Sequence, residues 1–245
     1  MQTRNWAELT SDEIKATARD TVVVIPSGAV EIYGPHLPLG SDSIVAEAVA
    51  RRVTDQVDGL CLPLIPVGYS ADLMGYDGTL TVTPEAFKAY LSGICTSLVH
   101  WGFRRMLFLN THAGNVKLID QLADELIKQH DCRCLSIDWW RFAGELGAGL
   151  WESPAWAIGH ASEQGTSTLK HLRPELVHDE LAIDFVPDSD PWETGAENYV
   201  DFSAVTPTGV LGYASLASEE KGRRNVELAV SRIVQLVERD LQGAM

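Results

Sequence analysis

The chain is 245 residues long, with 45% hydrophobic and 22% charged residues, the usage of an ordinary globular protein. Its 19 Lys and Arg face 34 Asp and Glu, a net charge of −15, which argues against nucleic acid and against an anionic membrane surface as partners. No apolar run is long enough for a membrane span, and the polar start MQTRNWAELTSDEIK lacks the apolar stretch of a secretory leader.

Residues 21–25 (TVVVI) are a continuous β-branched run, the pattern of a strand buried on both faces. Apolar residues at helical spacing follow over 44–57, and 60–65 reads as a second strand. The spacing predicts a helix over 83–100, with Thr83 as N-cap, Pro84 at the first position and Glu85 in the first turn. Residues 106–110 (MLFLN) read as a third buried strand, 116–130 as a helix and 132–138 as a fourth strand. After a long irregular stretch a helix starts at 167–172, and an amphipathic helix spans 225–241. Strands separated by helices imply an α/β fold with a mostly parallel central sheet, a three-layer α/β/α sandwich. No repeat or linker interrupts the pattern, so residues 1–245 are expected to form a single domain. Irregular segments 68–80 and 184–212 are long for a compact domain, and such loops are functional or interfacial. Cys61, Cys95, Cys132 and Cys134 have no disulfide or zinc-knuckle spacing. Read as free thiols, they imply a reducing, cytoplasmic location.

The chemistry-bearing residues gather after strands, where open α/β sheets bind ligands. Segment 26–42 (PSGAVEIYGPHLPLGSD) carries Glu31, Tyr33, His36 and Asp42 among prolines and glycines that fix the backbone. In extended backbone, Glu31 and Tyr33 point to the same side. Oxygen and nitrogen donors preset in this way suit a divalent metal; without one, the segment is a turn-rich loop with solvated charges. In LNTHAGN (109–115), His112 sits at the end of the third strand, reaching the same sheet edge or capping the next helix. In GHASEQGTS (159–167), His160 and Glu163 stand close together before a helix, either as a general base or as ordinary loop residues. Trp139, Trp140, Trp151, Trp156 and Trp192 concentrate in one region, where core or subunit interface is the ordinary location.

Taken in order, these segments resemble the creatininase (creatinine amidohydrolase) family. Residues 27–42 are similar to its Gly-Ser-x-Glu-Gln-His-Gly-Pro-His-Leu-Pro-Leu-x-Thr-Asp motif. Gly68-Tyr69-Ser70 and Asp77-Gly78-Thr79 stand at its Gly-x-Ser and Pro-Gly-Thr, and residues 110–115 at its Asn-Gly-His-Gly-Gly-Asn. Residues 160–167 are similar to its His-Ala-Gly-x-x-Glu-Thr-Ser. Residues 209–212 and Lys221-Gly222 resemble its late Gly-Val-x-Gly and Lys-Gly. The resemblance implies a homo-oligomer, a hexamer, that hydrolyses a C–N bond of a small molecule: an amide, cyclic amide or formamide cleaved by metal-activated water. By motif position it implies Glu31, Asp42 and His112 as metal ligands, with Asp42 where the family's carboxylate bridges two ions. It implies His160 as proton carrier near the substrate, with Glu163 as the alternative. Tyr33 is expected to donate to the developing oxyanion, and His36, Trp151 and Trp156 to contact the substrate.

Three positions depart from the family pattern. Tyr33 stands for a ligand histidine, while Gly114 and Gly165 stand for glutamates. These losses fall mainly on a second metal, so one ion per chain is expected, most simply zinc, with manganese or iron accepted by the same donors. Two other readings remain. One is a metal-dependent lyase, isomerase or C–C hydrolase acting on a sugar-like or cyclic ketone substrate. The other is a non-catalytic, ligand-binding relative.

Overall fold

The computed structural model describes residues 4–188 and 200–243. A short helix α1 (Ser11–Ala16) opens with a capping box between Thr10 and Glu13, and leads to strand β1 (Val22–Ser27). Next come α2 (Ser41–Val57), β2 (Leu60–Cys61), α3 (Pro84–His100), β3 (Arg105–Asn110), α4 (Val116–His130), β4 (Arg133–Asp138) and α5 (Trp139–Leu146). The chain continues through α6 (Glu163–Leu172), β5 (Asp184–Phe185), β6 (Gly212–Tyr213) and α7 (Glu219–Leu236), which widens into a π-helical turn, Val237–Gln242.

Four strands pair in parallel in the order β2-β1-β3-β4. The alternation along β1 explains the layers. Val22 and Val24, with Leu107 and Leu109 of β3, pack against residues of α2, α5, α6 and α7 such as Val49, Ala143, Leu169 and Ile233. Val23 and Ile25, with Met106 and Phe108, pack on the other face against α3 and α4, through residues such as Phe87, Leu91 and Ile119. A strand covered on both sides has no polar face, so its sequence is a continuous apolar run. The fold is the expected α/β/α sandwich. Its register aligns Ser27 of β1 with Asn110 of β3, and Asn110 with Asp138 of β4, so three strand ends share one edge.

Several boundaries differ from the sequence reading. The β2 ladder is only two residues long, although backbone bonds from Leu62 to Val24 and from Ile65 to Pro26 carry the pairing onward. Helix α5 lies in the stretch read as irregular, and α6 starts at Glu163 rather than 167. Helix α7 starts at Glu219, where Ser218 accepts from the Lys221 amide. Segment 68–80 holds a single 3-10 turn, Ala71–Leu73. Within 184–212, residues 189–199, Trp192 included, lie outside the described residues. All four cysteines are free thiols. No helix among the described residues is long and apolar enough to cross a membrane.

Candidate active site and metal centre

The aligned strand ends deliver the site. Beyond β1, the Glu31 amide bonds to Leu39 O at 2.8 Å, folding the loop back on itself. Asp42 lies in the first turn of α2, where the helix dipole favours an anion. Beyond β3, the Thr111 hydroxyl donates to Asp42 O at 2.8 Å, and Asn110 Nδ2 donates to His112 O at 2.6 Å. Asn115 ties the edge together, accepting from the Tyr69 amide and donating to Gly28 O. The polar residues of 110–115 thus fix the backbone that carries His112.

Glu31, Asp42 and His112 meet there, each nearly fully buried, with one potential ligand atom apiece within 4.8 Å of the others. His112 Nδ1 stands 3.1 Å from Glu31 Oε2 and 3.4 Å from Asp42 Oδ2. Its Nε2 lies 2.7 Å from Tyr69 O, which can only accept, so Nε2 carries a proton and Nδ1 faces the carboxylates. That contact needs Gly114, because a side chain there would collide with both the Tyr69 carbonyl and the imidazole. Ser70 Oγ donates to Glu31 Oε2 at 2.6 Å, and Trp140 Nε1 donates to Asp42 Oδ1 at 2.8 Å.

The electrostatics describe a site short of positive charge. Burial and the charge of Glu31 push the Asp42 carboxyl up, with His112 and Trp140 offsetting only part of this. Burial works against ionised Glu31 too, but the charge and hydrogen bonds of His112 and His160 outweigh it and hold that carboxyl low. Burial would lower His112, yet Glu31 and Asp42 raise it well above the ordinary imidazole range. Two buried carboxylates and one imidazole, aimed at a common point, are a donor set that fits a divalent cation.

His160 Nε2 lies 3.3 Å from Glu31 Oε1, and its Nδ1 donates to Gly209 O at 2.6 Å. Burial would lower this imidazole too, but bonds to Glu31 and Gly209 and nearby charges raise it overall. The Tyr33 ring packs 4.4 Å from the His160 ring and 5.9 Å from Trp140. Burial, then the charges of Asp42 and Glu31, push its hydroxyl well above 10, so it is a protonated phenol. A Cβ at position 165 would sit 3.2 Å from Tyr33 Cε1, so tyrosine and glycine fit together here. All five side chains face a cavity of about 460 Å³. The three candidate ligands come from residues 31–112. The groups that close over them, such as Trp140, His160, Phe202 and Leu211, come from later in the chain.

Other expected site residues lie elsewhere. Glu163 is fully buried but absent from the cavity wall; it accepts from the amides of Glu152 and Ser153 and pairs with Lys221 Nζ at 2.5 Å. His36 is buried behind the site, because the turn at Gly34 (φ +69) directs it to Thr166 Oγ1 at 2.8 Å. Trp151 donates to Gly144 O inside the protein, and Trp156 packs with Leu73, Phe202 and Leu211. Neither tryptophan lines the cavity. Trp140 does, as do Asp138, Arg141 and Asp72. The signal for Asp138 and Trp140 is their place at and just beyond the end of a strand, close to the position that marks Glu31 and His112.

Residues 7–237 match the family described as Creatininase: Creatinine amidohydrolase. The chain belongs to the creatininase family. The mycofactocin precursor peptide peptidase of Mycobacterium ulcerans (strain Agy99) is 31% identical over 228 residues, 87% of this chain and 84% of that protein. The 3-dehydro-scyllo-inosose hydrolase of Thermotoga maritima is 28% identical over 243 residues, 88% of this chain and 76% of that protein. A crystal structure of creatinine amidohydrolase shares the fold, with a TM-score of 0.86, 24% identity and 100% of both chains covered. Creatininase structures include a Mn form and, for a mutant, a Zn-Zn type. For a creatininase-family chain, the buried triad and the fold support metal-dependent hydrolysis of a C–N bond in general.

Proposed function

We propose that this protein hydrolyses an amide, cyclic amide or formamide bond of a small molecule, using one divalent ion per chain held by Glu31, Asp42 and His112. The observation that carries this reading is the buried triad facing a cavity beside His160. When bound, the ion supplies Lewis acidity, lowering the pKa of water and polarising a carbonyl. The remaining work falls to the chain's own groups. His160 takes a proton at Nε2 and returns it to the departing nitrogen, while the Gly209 carbonyl fixes its tautomer. Tyr33 donates its phenol hydrogen to the developing oxyanion. Trp140 holds Asp42 in place, and Ser70 holds Glu31. Glu163, engaged by Lys221, carries no proton in this scheme.

Zinc is the first choice of ion, with manganese or iron as alternatives. We further propose a cytoplasmic enzyme in which the whole chain acts as one creatininase-like domain and assembles into a hexamer. The name of the Thermotoga relative favours a second reading, hydrolysis of a sugar-like substrate by the same residues.

Elemental analysis of the purified protein and of His112→Ala, combined with an amide and cyclic-ketone screen in heavy-oxygen water, tests both readings. About one ion per chain, lost in His112→Ala, and turnover of an amide to an amine and a carboxylate labelled with solvent oxygen are expected; labelled product from the cyclic ketone instead would favour the second reading. An unlabelled product would indicate lyase or isomerase chemistry, and a metal-free protein would overturn the enzyme reading.

A further inference from the structure

We propose that Asp138 is a specificity-determining residue, selecting substrates that carry a protonated amine or amidine in addition to the scissile bond. This rests on the hydrolase reading for what the cavity is for. Asp138 ends β4 in register with Asn110, two residues before His112, and it lines the same cavity as the triad. It occupies the N-cap of α5, where an aspartate ordinarily accepts a helix N–H, yet its carboxylate caps nothing. It is half-buried, and among the described residues no hydrogen bond or ion pair engages its carboxylate.

Burial raises its carboxyl, and the charges of Arg141 and His112 offset only part of that cost. The Arg141 guanidinium is itself held by Glu145 at 3.0 Å and is largely in solvent. Arg141 is the sole Lys or Arg among the described residues that line the cavity, and residues 189–199 contain neither type. The cavity therefore offers a half-buried carboxylate with no cap and no ion-pair partner. Such a group is costly until a ligand satisfies it. Asp72 at the same wall adds negative charge, and the net charge of −15 steers cations inward while repelling anions. Trp140, Phe202 and Leu73 give the rest of the wall an apolar, partly aromatic surface for the body of such a molecule.

The test uses benzamidine, a flat cation at pH 7, and benzamide, its neutral isostere, titrated calorimetrically into the purified protein and into Asp138→Asn and Asp72→Asn. Benzamidine should bind about tenfold or more tightly than benzamide, as expected for a charge-assisted hydrogen bond. Asp138→Asn should abolish that preference and Asp72→Asn should keep most of it. The melting temperature of Asp138→Asn should equal or exceed that of the unmodified protein, since no cap is lost and an unpartnered charge is removed. Equal affinity for the two probes, no binding of either, a preference that survives Asp138→Asn or disappears equally in Asp72→Asn, or a clear drop in melting temperature would overturn the proposal. Probe binding needs no turnover. Failure to find a hydrolysed amide therefore counts against the function alone, and lost discrimination in an active amidase counts against Asp138 alone.

Discussion

Tyr33 and Gly165 share one volume: the ring fills the space a side chain at 165 would need. The two positions are therefore sterically matched, a bulky phenol set against the smallest residue. Tyr33→Phe should keep metal and fold but lower turnover by about tenfold or more, the range for loss of a transition-state donor. Steady-state kinetics beside metal analysis checks this, and undiminished turnover would remove the hydroxyl from the chemistry. His36 makes a separate prediction. Thr166 Oγ1 donates to Ala161 O, so it accepts from His36 Nε2 and leaves Nδ1 buried without a partner. Burial lowers this imidazole from 6.5 to about 4. The unfolded chain takes up the proton below pH 6.5, whereas the fold resists it until about 4, so stability falls as pH drops through that window. The loss amounts to about 3 kcal/mol and levels off below the lower value. Urea unfolding at several pH values should give a flatter profile for His36→Asn; an unchanged profile would show that His36 titrates freely in the fold.

At the scale of elements, the legible parts were those whose patterns come from burial of apolar side chains. Strands β1 and β3 are continuous apolar runs, and α3 carries its own cap and proline, so residue types alone located them. The start of helix α6 carries no hydrophobic pattern, because residues 163–168 are polar or glycine, yet all are buried. Its first turns are held by an ionic and hydrogen-bonded network, which leaves no hydrophobic period. Helix α5 follows β4 with no intervening turn residues, so its two tryptophans gave no sign of a boundary. The same distinction separates the site residues. Glu31, Asp42 and His112 were readable from their places after strands and from the family motifs. The inward turn of His36 depends on the Gly34 backbone, and the pairing of Glu163 depends on Lys221 from α7. Glu163→Gln should cost about 3 kcal/mol, as expected when one partner of a buried pair is removed. Metal content and turnover per folded molecule should be unchanged. Chemical denaturation and a pH–rate profile check this; an altered profile with normal stability would return Glu163 to proton transfer.

Across the whole molecule, the strong acidity of the surface bears on the proposed hexamer. A net charge of −15 opposes contact between copies, so a hexamer requires interfaces that are apolar or specifically paired. Exposed Tyr90 and Trp101 on and after α3, and Met74 and Leu80 in the loop between β2 and α3, are candidates for such contacts. Light scattering should give a mass well above 26.8 kDa that persists in moderate salt. A monomer at micromolar concentration would contradict the assembly.

The order of the candidate ligands along the chain has a consequence in time. Glu31, Asp42 and His112 are all present once residue 112 has been made, whereas α5, α6 and α7, which complete the covering layer, come later. During synthesis, the donors therefore exist for an interval while their route to solvent is still wide. Loading an ion then requires no later opening of a finished core. In refolding, zinc present from the first moment should fill the centre faster than zinc added to the folded chain. Rapid-mixing experiments with a zinc-sensitive dye would read the difference, and equal rates would mean that the completed cavity admits the ion as readily as the nascent one.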